Sequence, residues 1–267
     1  MDRDALAALD ANYLDASRVF VSGSDTGEYV ERRDVAIVCC GLPAQSLNFG
    51  FLKPPYGNLA ATADAVRTYF GERKLPHQLS FRDETRAPAR QLEVCGWRRG
   101  PDPSPGMTLP LPAAGPGSAA TPPQKPPAGL EIEEVRTHEQ LVAFRETAFR
   151  GFGHPVAAAR LFLNERLLAL PNARLYAGLA GGSVVATSIL FTTGDVAGIY
   201  WVATLEEARG RGYGAALTWA AVAGGQQAGC RIASLQASAL GRPVYARMGF
   251  AHVLDYEHLL PAEAPDR

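Results

Sequence analysis

The sequence predicts a mixed α/β protein built around a central sheet. Short apolar segments of strand length recur along the chain, and segments with a helical period separate many of them. The Gly181-Gly182 pair joins two such strand segments, which is a strong hairpin signal. After this hairpin, strand and helix segments alternate to the end of the chain, as expected for a mixed sheet flanked by helices.

The first 111 residues contain both element types. The clearest helix spans 58–72, because Leu59, Ala63, Val66 and Phe70 share one of its faces. The remaining segments predict helices at 4–21, as one or two pieces, and at 89–95, and strands within 29–42 and at 46–52, 77–81 and 107–111.

A run rich in proline and glycine covers residues 99–129, and its second half has no apolar period. Such a run is expected to be extended and exposed. We therefore predict a linker at 112–128 between a smaller domain at 1–111 and a larger domain at 129–267.

The larger domain has a regular series of elements. Its first strand is predicted at 130–135, and helices follow at 139–151 and 156–168, the second beginning near Pro155. The remaining segments predict strands at 174–179, 183–192, 197–204, 231–237 and 251–260, and helices at 214–228 and 243–248.

Composition excludes several function classes. The formal net charge is −1, so no global field favours nucleic acid or anionic lipid. The four cysteines show no CxxC spacing and no Cys/His cluster, so we expect free thiols and no metal site. No secretory signal pattern opens the chain, and no apolar run approaches the ~20 residues of a membrane helix. We therefore expect a cytoplasmic protein.

Three glycines and two arginines occupy six positions, RGRGYG at 209–214, between a predicted strand and a predicted helix. Amides at a helix N-terminus lack intrahelical partners and lie at the positive end of the helix dipole, so they bind anions. Gly210, Gly212 and Gly214 permit positive φ and let phosphate oxygens approach the main chain. Arg209 and Arg211 add charge and donors. The loop therefore suits a pyrophosphate.

The spacing of these glycines differs from the dinucleotide fingerprint, and no lysine followed by Ser or Thr forms a Walker loop. The pattern Arg209-x-x-Gly212-x-Gly214 instead resembles the coenzyme A pyrophosphate loop of the GNAT superfamily of N-acetyltransferases. The resemblance implies acetyl-CoA as cosubstrate, without a metal. It implies that the following residues bind the coenzyme: Arg209, Gly210, Arg211, Gly212, Tyr213 and Gly214.

The downstream stretch 235–250 resembles the next strand and helix of the same family, which end in Tyr-x-x-x-Gly-aromatic. Tyr245 falls on the family's usual tyrosine, with Gly249 and Phe250 as the closing pair. In many members this tyrosine protonates the departing thiolate. The resemblance therefore implies that Tyr245 is the general acid.

The resemblance covers about residues 130–260 and implies a mostly antiparallel sheet in which two parallel strands splay apart. Pantetheine would lie between them and bond to the main chain of Val202, Ala203 and Thr204. Ser238 stands where relatives often have asparagine, and a hydroxyl can make only part of that contact. The strand GIYWVAT has no carboxylate to act as a base.

The base and the acceptor contacts stay open in the sequence. Glu206 and Glu207 follow the strand and are expected in solvent. His154 is a candidate base in the region that forms the acceptor side in relatives, although a surface histidine is the alternative. Tyr200 and Trp201 lie where both substrates would meet, and each fits either an acceptor contact or the core.

The first half resembles a degenerate copy of the same fold. The segment LEVCGW at 92–97 is similar to YARMGF, but Leu92 replaces the tyrosine. The stretch LKPPYGNLA between its strand and helix lacks the glycine-rich pattern. We therefore expect one coenzyme per chain, with the first half closing the acceptor cleft or stabilising the protein.

These observations predict an acetyl-CoA-dependent N-acetyltransferase that acts on a small amine or an amino-acid-like substrate, as a monomer or homodimer. Two alternatives stay open. One is a non-catalytic acyl-CoA sensor, which the missing carboxylate favours and Tyr245 opposes. The other is a peptide or protein N-terminal acetyltransferase, which differs only in the acceptor.

Overall fold

One sheet of twelve strands passes through both halves of the chain. The computed structural model describes residues 3–22, 24, 26–82, 86–100, 102–112 and 126–262. Most of the predicted linker, 113–125, lies outside these residues. We call 3–112 the first half and 126–262 the second half.

The first half contains three helices and six strands among its described residues. Asn58 caps the second helix by accepting a hydrogen bond from the Ala61 amide at 3.1 Å. The elements are α1 Arg3–Ser22, β1 Glu28–Glu31, β2 Val35–Cys39, β3 Asn48–Leu52, α2 Leu59–Glu72, β4 Gln78–Arg82, α3 Ala87–Val94, β5 Trp97–Arg99 and β6 Ser104–Pro110.

The second half contains four helices and six strands. Gly181 and Gly182 have φ of 58° and 79°, which confirms the predicted tight hairpin between its second and third strands. The elements are β7 Glu131–Glu134, α4 His138–Phe152, α5 Ala159–Phe162, β8 Ala173–Ala180, β9 Ser183–Thr193, β10 Val196–Thr204, α6 Tyr213–Gln227, β11 Ile232–Gln236, α7 Arg242–Arg247 and β12 Ala251–Pro261.

Two predicted elements are wrong in detail. The helix predicted at 156–168 is broken into a 3₁₀ turn, the single turn α5 and a second 3₁₀ turn. The side chain of Asn164 accepts from the Arg166 amide, so a local cap starts a new turn there. The strand expected within 29–42 is two strands, β1 and β2, because the polar residues 32–34 turn the chain between them.

The two halves exchange strands in the sheet. Its order is β1-β2-β3-β4-β12-β6-β11-β10-β9-β8-β7, with β5 pairing to β12 beside this path. Strand β6 of the first half lies between β11 and β12, and β12 of the second half pairs with β4. The halves therefore share main-chain hydrogen bonds as well as side-chain contacts.

Each half also repeats one local arrangement. An antiparallel pair, β2 with β3 or β9 with β10, is followed by a helix and then by a parallel strand, β4 or β11. This repetition supports the proposal that the first half is a copy of the second.

The sheet curls around α1. This helix packs against β1 and β2 near one end of the sheet and against β9 and β10 near the other. At about 4.8 Å per strand, a flat sheet would separate β2 from β10 by roughly 29 Å, far more than the ~10 Å width of a helix. Gly198 permits the close approach, because a Cβ there would lie 1.9 Å from Asn12 Oδ1.

Three apolar cores result. The concave side holds α1, α4 and α5 over Phe49, Phe51 and Phe191. Helices α6 and α7 cover one region of the convex side, and α2 and α3 cover another. Cys39, Cys40 and Cys230 are buried free thiols, and Cys95 is partly exposed. No helix among the described residues is long and apolar enough to cross a bilayer.

Candidate active site

Strands β10 and β11 pair in parallel only at their beginnings. Their register runs from Val196 opposite Ile232 to Gly198 opposite Ser234, and no pairing follows, although β10 continues to Thr204. Beyond this point, a bulge against β9 places Trp201 and Val202 opposite one residue. Trp201 has φ of 51°, which is uncommon for a residue with a Cβ and occurs where surrounding structure holds it. The predicted splaying of these strands is therefore present, and we call the gap the β10–β11 opening.

Main-chain groups of β10 face this opening. The Leu205 amide donates to Val185 O at 2.9 Å, so residues 205 and 185 form a hydrogen-bonded pair. In an antiparallel pair, every second residue directs its amide and carbonyl to the partner strand. The main-chain groups of Ala203 therefore also point to β9, whereas those of Val202 and Thr204 point to the opening. Hydrogen bonds to a pantetheine arm are thus available from Val202 and Thr204, whereas Ala203 is engaged in the sheet.

Helix α6 begins beside the opening with a bare N-terminus. Gly212 is the N-cap residue, has φ of 80° and provides no side-chain cap. The first amides of the helix have no intrahelical acceptor. The Tyr213 side chain is buried in the core, so only its main chain faces the loop. A Cβ on Gly214 would lie 3.3 Å from Thr204 Oγ1, which shows how closely the helix approaches β10.

The two arginines of the loop differ in their contacts. Arg209 donates from Nε to Thr204 O at 3.2 Å and from its terminal nitrogen to Gly151 O at 3.3 Å. It therefore joins the loop to β10 and to the end of α4. Arg211 is exposed and makes only a 3.5 Å contact with Glu207 O. Gly210 has φ of 77° and open space where a Cβ would lie.

Tyr245 lies on α7 and is 8% exposed. Its hydroxyl lies beside the side chain of Thr218 on α6, and Thr218 Oγ1 donates to Gly214 O at 2.8 Å. This chain of contacts holds the phenol against the beginning of α6. Burial raises the pKa of Tyr245 to about 12, and the contact with Thr218 opposes this only in part.

Ser238 lies in the turn before α7. Its Oγ accepts from the Gly241 amide at 3.1 Å. The hydroxyl proton stays available as a donor, because that bond uses only a lone pair.

A cavity of ≈ 260 Å³ lies on the concave side of the sheet, where the halves meet. The first half contributes Tyr13, Ser17 and Phe20 from α1 and Phe49 from β3, among others. The sequence patterns did not single out these residues, because a curled sheet brings them to β10 from more than 140 positions away. For Tyr13 and Phe20 the local signal is the apolar face of a helix, and for Phe49 it is an apolar strand.

The second half contributes five residues to the cavity: Phe152, His154, Phe162, Tyr200 and Trp201. Tyr200 and Trp201 belong to the bulge region of β10, which also borders the β10–β11 opening, so the cavity and the opening share this stretch of the strand. Trp201 stacks on Phe149 with ring centroids 5.1 Å apart, and the Tyr200 hydroxyl donates to Asn12 Oδ1 at 2.5 Å. Both residues therefore pack in the core and also line the cavity.

His154 is half-buried against Phe149, Phe152 and Trp201. Desolvation lowers its pKa below the usual 6.5, so the imidazole is neutral at pH 7. Glu206 and Glu207 are exposed in a 3₁₀ turn, and Glu207 pairs with Arg150 at 3.4 Å, as expected for solvated residues. Of the candidates for a base, only His154 lines the cavity.

The corresponding region of the first half is built differently. Helix α2 follows β3 and precedes the parallel strand β4, and its N-terminus is capped by the Asn58 side chain. Leu92 is fully buried where the second half has Tyr245. The described part of the first half thus has neither a bare helix N-terminus at this place nor a phenol, which supports a single coenzyme site per chain.

Comparisons with known proteins agree with this geometry. The model of a family described as "Acetyltransferase (GNAT) family" matches residues 137–250. No curated protein matches the chain. A GCN5-related N-acetyltransferase from Kribbella flavida is similar in structure, with a TM-score of 0.68, 19% identity, and coverage of 95% of this chain and 96% of that chain.

Two further solved structures share the fold. A tandem GNAT protein from the clavulanic acid biosynthesis pathway has a TM-score of 0.62 and 16% identity, covering 97% of this chain and 96% of that chain. A GCN5-related N-acetyltransferase from Sphaerobacter thermophilus has a TM-score of 0.63 and 17% identity, with 85% and 79% covered. The predicted fold is confirmed over nearly the whole chain.

Proposed function

We propose that this protein transfers the acetyl group of acetyl-CoA to a small-molecule amine, because the model of the acetyltransferase (GNAT) family matches residues 137–250. One observation carries the proposal. The β10–β11 opening and the bare N-terminus of α6 adjoin each other, so one ligand can place a flexible arm in the first and an anionic group at the second.

The residues present fit such a ligand. The diphosphate would bind to the first amides of α6 and to the loop amides around Gly210 and Gly212, where the helix dipole favours negative charge. The exposed guanidinium of Arg211 can add charge, whereas Arg209 holds the loop in shape. The amides of the pantetheine arm would bond to Val202, Thr204 and Ser238.

Acetyl-CoA supplies an electrophilic thioester carbonyl. The amine nitrogen forms a bond to this carbon, the carbon–sulfur bond breaks, and the sulfur leaves with both electrons. Tyr245 then donates its proton to the sulfur and regains one from solvent. A phenol with a pKa of about 12 is a weak acid for a thiolate, whose conjugate acid has a pKa near ~8.5 in water. Tyr245 therefore acts through its position, and its removal slows turnover without abolishing it.

A non-catalytic acyl-CoA sensor remains the competing function, since no carboxylate lines the cavity. The two functions differ in a simple experiment. Calorimetric titration with acetyl-CoA tests binding, and thiol release from acetyl-CoA across an amine panel tests turnover. Binding with amine-dependent thiol release supports the transferase, and binding without release from any amine supports the sensor. Absence of binding contradicts both.

An acetyltransferase for peptide or protein N-termini would differ only in its acceptor. The same panel should include a short peptide with a free N-terminus. We expect small amines to be the better substrates, because the acceptor cavity holds only ≈ 260 Å³.

A further inference from the structure

The cavity between the halves has a chemistry of its own. Seven of its twelve lining residues carry phenyl, phenol or indole rings, and none is Asp, Glu, Lys or Arg. The polar atoms come from two serines and from His154, together with the phenols of Tyr13 and Tyr200. A site that selects hydrophilic amines or amino acids would need charged partners for their ammonium or carboxylate groups.

We propose that the acceptor is an arylalkylamine, an inference that rests on the proposed acetyl transfer. Its aromatic ring would lie in the cavity against the ring cluster of Phe20, Phe162 and Trp201, and its amine would point to the β10–β11 opening, where His154 takes up the amine proton.

The size of the cavity fits one ring with a short arm. An apolar cavity of roughly 150 Å³ is enough to hold benzene, so ≈ 260 Å³ leaves room for a two- or three-atom chain. The rings already present are perpendicular or tilted relative to one another. Phe20 lies 6.4 Å from Trp201 at 87°, and Phe162 lies 5.3 Å from Trp201 at 57°. A ligand ring can add to such a cluster in the same geometry.

The same surroundings help to supply a nucleophile. An ammonium group that enters a site without carboxylates loses hydration without gaining an ion pair, so its pKa falls and the neutral amine becomes more populated. This matters because an amine with a pKa near ~10.4 is neutral in about one molecule in 10³ at pH 7.

His154 is placed to accept the proton. Its ring packs against Phe149, Phe152 and Trp201, and the titratable groups that share the cavity are the phenols of Tyr13 and Tyr200. Burial raises the pKa of both phenols, so they stay neutral. Within the described residues, no side chain bonds to the ring nitrogens of His154. The imidazole is therefore neutral and free to take a proton.

The step balances as follows. The neutral amine attacks the thioester carbon, the nitrogen loses one proton to His154, and the thiolate gains one from Tyr245. His154 releases its proton to solvent and Tyr245 takes one from solvent. The products are the N-acetyl arylalkylamine and free thiol.

The first test compares acceptors and a filled cavity. We expect 2-phenylethylamine to exceed 1,4-diaminobutane and glycinamide at least tenfold in kcat/KM. In Ser17→Leu, the added methyl groups project from α1 into the cavity, so KM for 2-phenylethylamine should rise at least tenfold while acetyl-CoA affinity is kept. Ala11→Leu adds similar volume on the exposed face of the same helix and is the matched control.

Three outcomes of this test separate the two proposals. Faster turnover of the hydrophilic amines, or equal effects of the two leucine variants, overturns the arylalkylamine assignment alone. A different result is an activity that increases with longer acyl chains on the coenzyme, together with loss of that increase in Ser17→Leu. This result would assign the cavity to the acyl group and would also overturn the arylalkylamine assignment. Thiol release with no amine at all contradicts the proposed function. Calorimetric binding of 2-phenylethylamine, weakened by Ser17→Leu, tests the cavity without turnover.

The second test concerns His154. His154→Gln keeps a polar side chain of similar length but takes up no proton near pH 6. We expect kcat to fall tenfold or more at pH 7, and the acidic limb of the wild-type pH profile, which lies below pH 6.5, to disappear. If His154→Gln changes KM but keeps the acidic limb of the pH profile, His154 only packs in the cavity. This result would overturn its role as proton acceptor.

Discussion

The most informative single substitution is Gly212→Ala, because the chain contains a matched control. Gly212 has φ of 80° at the N-cap of α6, and Gly182 has φ of 79° in the hairpin between β8 and β9. A Cβ at Gly182 would meet nothing within 4 Å, and one at Gly212 would only contact Pro127 Cγ at 3.5 Å. Alanine therefore meets the same backbone penalty at both sites and no clash within the described protein.

The magnitudes follow from these geometries. An L-residue in the left-handed region costs about 1–2 kcal/mol, and replacing glycine returns about 0.4–1 kcal/mol by restricting the unfolded chain. Both variants should thus lose about 1 kcal/mol of folding free energy. Only the methyl group at Gly212 projects beside the amides that we assign to the diphosphate. We expect it to weaken acetyl-CoA binding at least tenfold, or about 1.4 kcal/mol, and Gly182→Ala to leave the affinity unchanged.

Urea unfolding measures the first quantity, and calorimetric titration with acetyl-CoA measures the second. Equal affinities of the two variants, together with equal stabilities, would refute the assignment of the diphosphate to this loop. If Gly182→Ala also binds acetyl-CoA more weakly, the loss of affinity follows the loss of folding stability and not a contact with the coenzyme.

Three other perturbations test separate parts of the account. Tyr245→Phe should lower kcat about ten- to hundredfold with little change in acetyl-CoA affinity, and an unchanged kcat at all pH values would refute the acid role. Burial lowers the pKa of His258 to about 4. The neutral imidazole therefore contributes fully to the free energy of unfolding above pH 6.5, and this contribution falls as the pH drops. The free energy of unfolding should decrease by about 2 kcal/mol between pH 7 and pH 5. Urea unfolding of His258→Gln should show a flatter pH dependence, and an equally steep one would refute this origin. After cleavage at a protease site inserted between residues 112 and 126, the two fragments should elute together in gel filtration, because β6 lies between β11 and β12. Separation of the fragments would contradict the exchange of strands between the two halves.

The sequence predicted the features that depend on neighbouring residues. The hairpin at 181–182 and the apolar face of α2 are confirmed, since glycine conformation and helical period are local properties. The bare N-terminus of α6 is likewise present, because Gly212 has no side chain that could cap it. The broken helix after Pro155 was missed because the Asn164 cap competes with a continuing helix and the period alone does not show it.

Features that depend on distant residues were not predictable in this way. The segment 107–111 was expected to be a strand, but nothing in it indicates that its partners are β11 and β12. The cavity likewise combines α1 with β10, whose approach depends on Gly198 and on the curl of the whole sheet. The position of the His154 ring beside Trp201 depends on the packing of α4 against β10, so the residues near His154 in sequence do not show it.

The most direct test of the central claim is a crystal structure of the protein with coenzyme A. We predict one molecule per chain, with its diphosphate on the amides at the beginning of α6, its pantetheine arm in the β10–β11 opening and its sulfur beside the Tyr245 hydroxyl. A coenzyme bound between β3 and β4, or a diphosphate away from residues 209–214, would contradict the account.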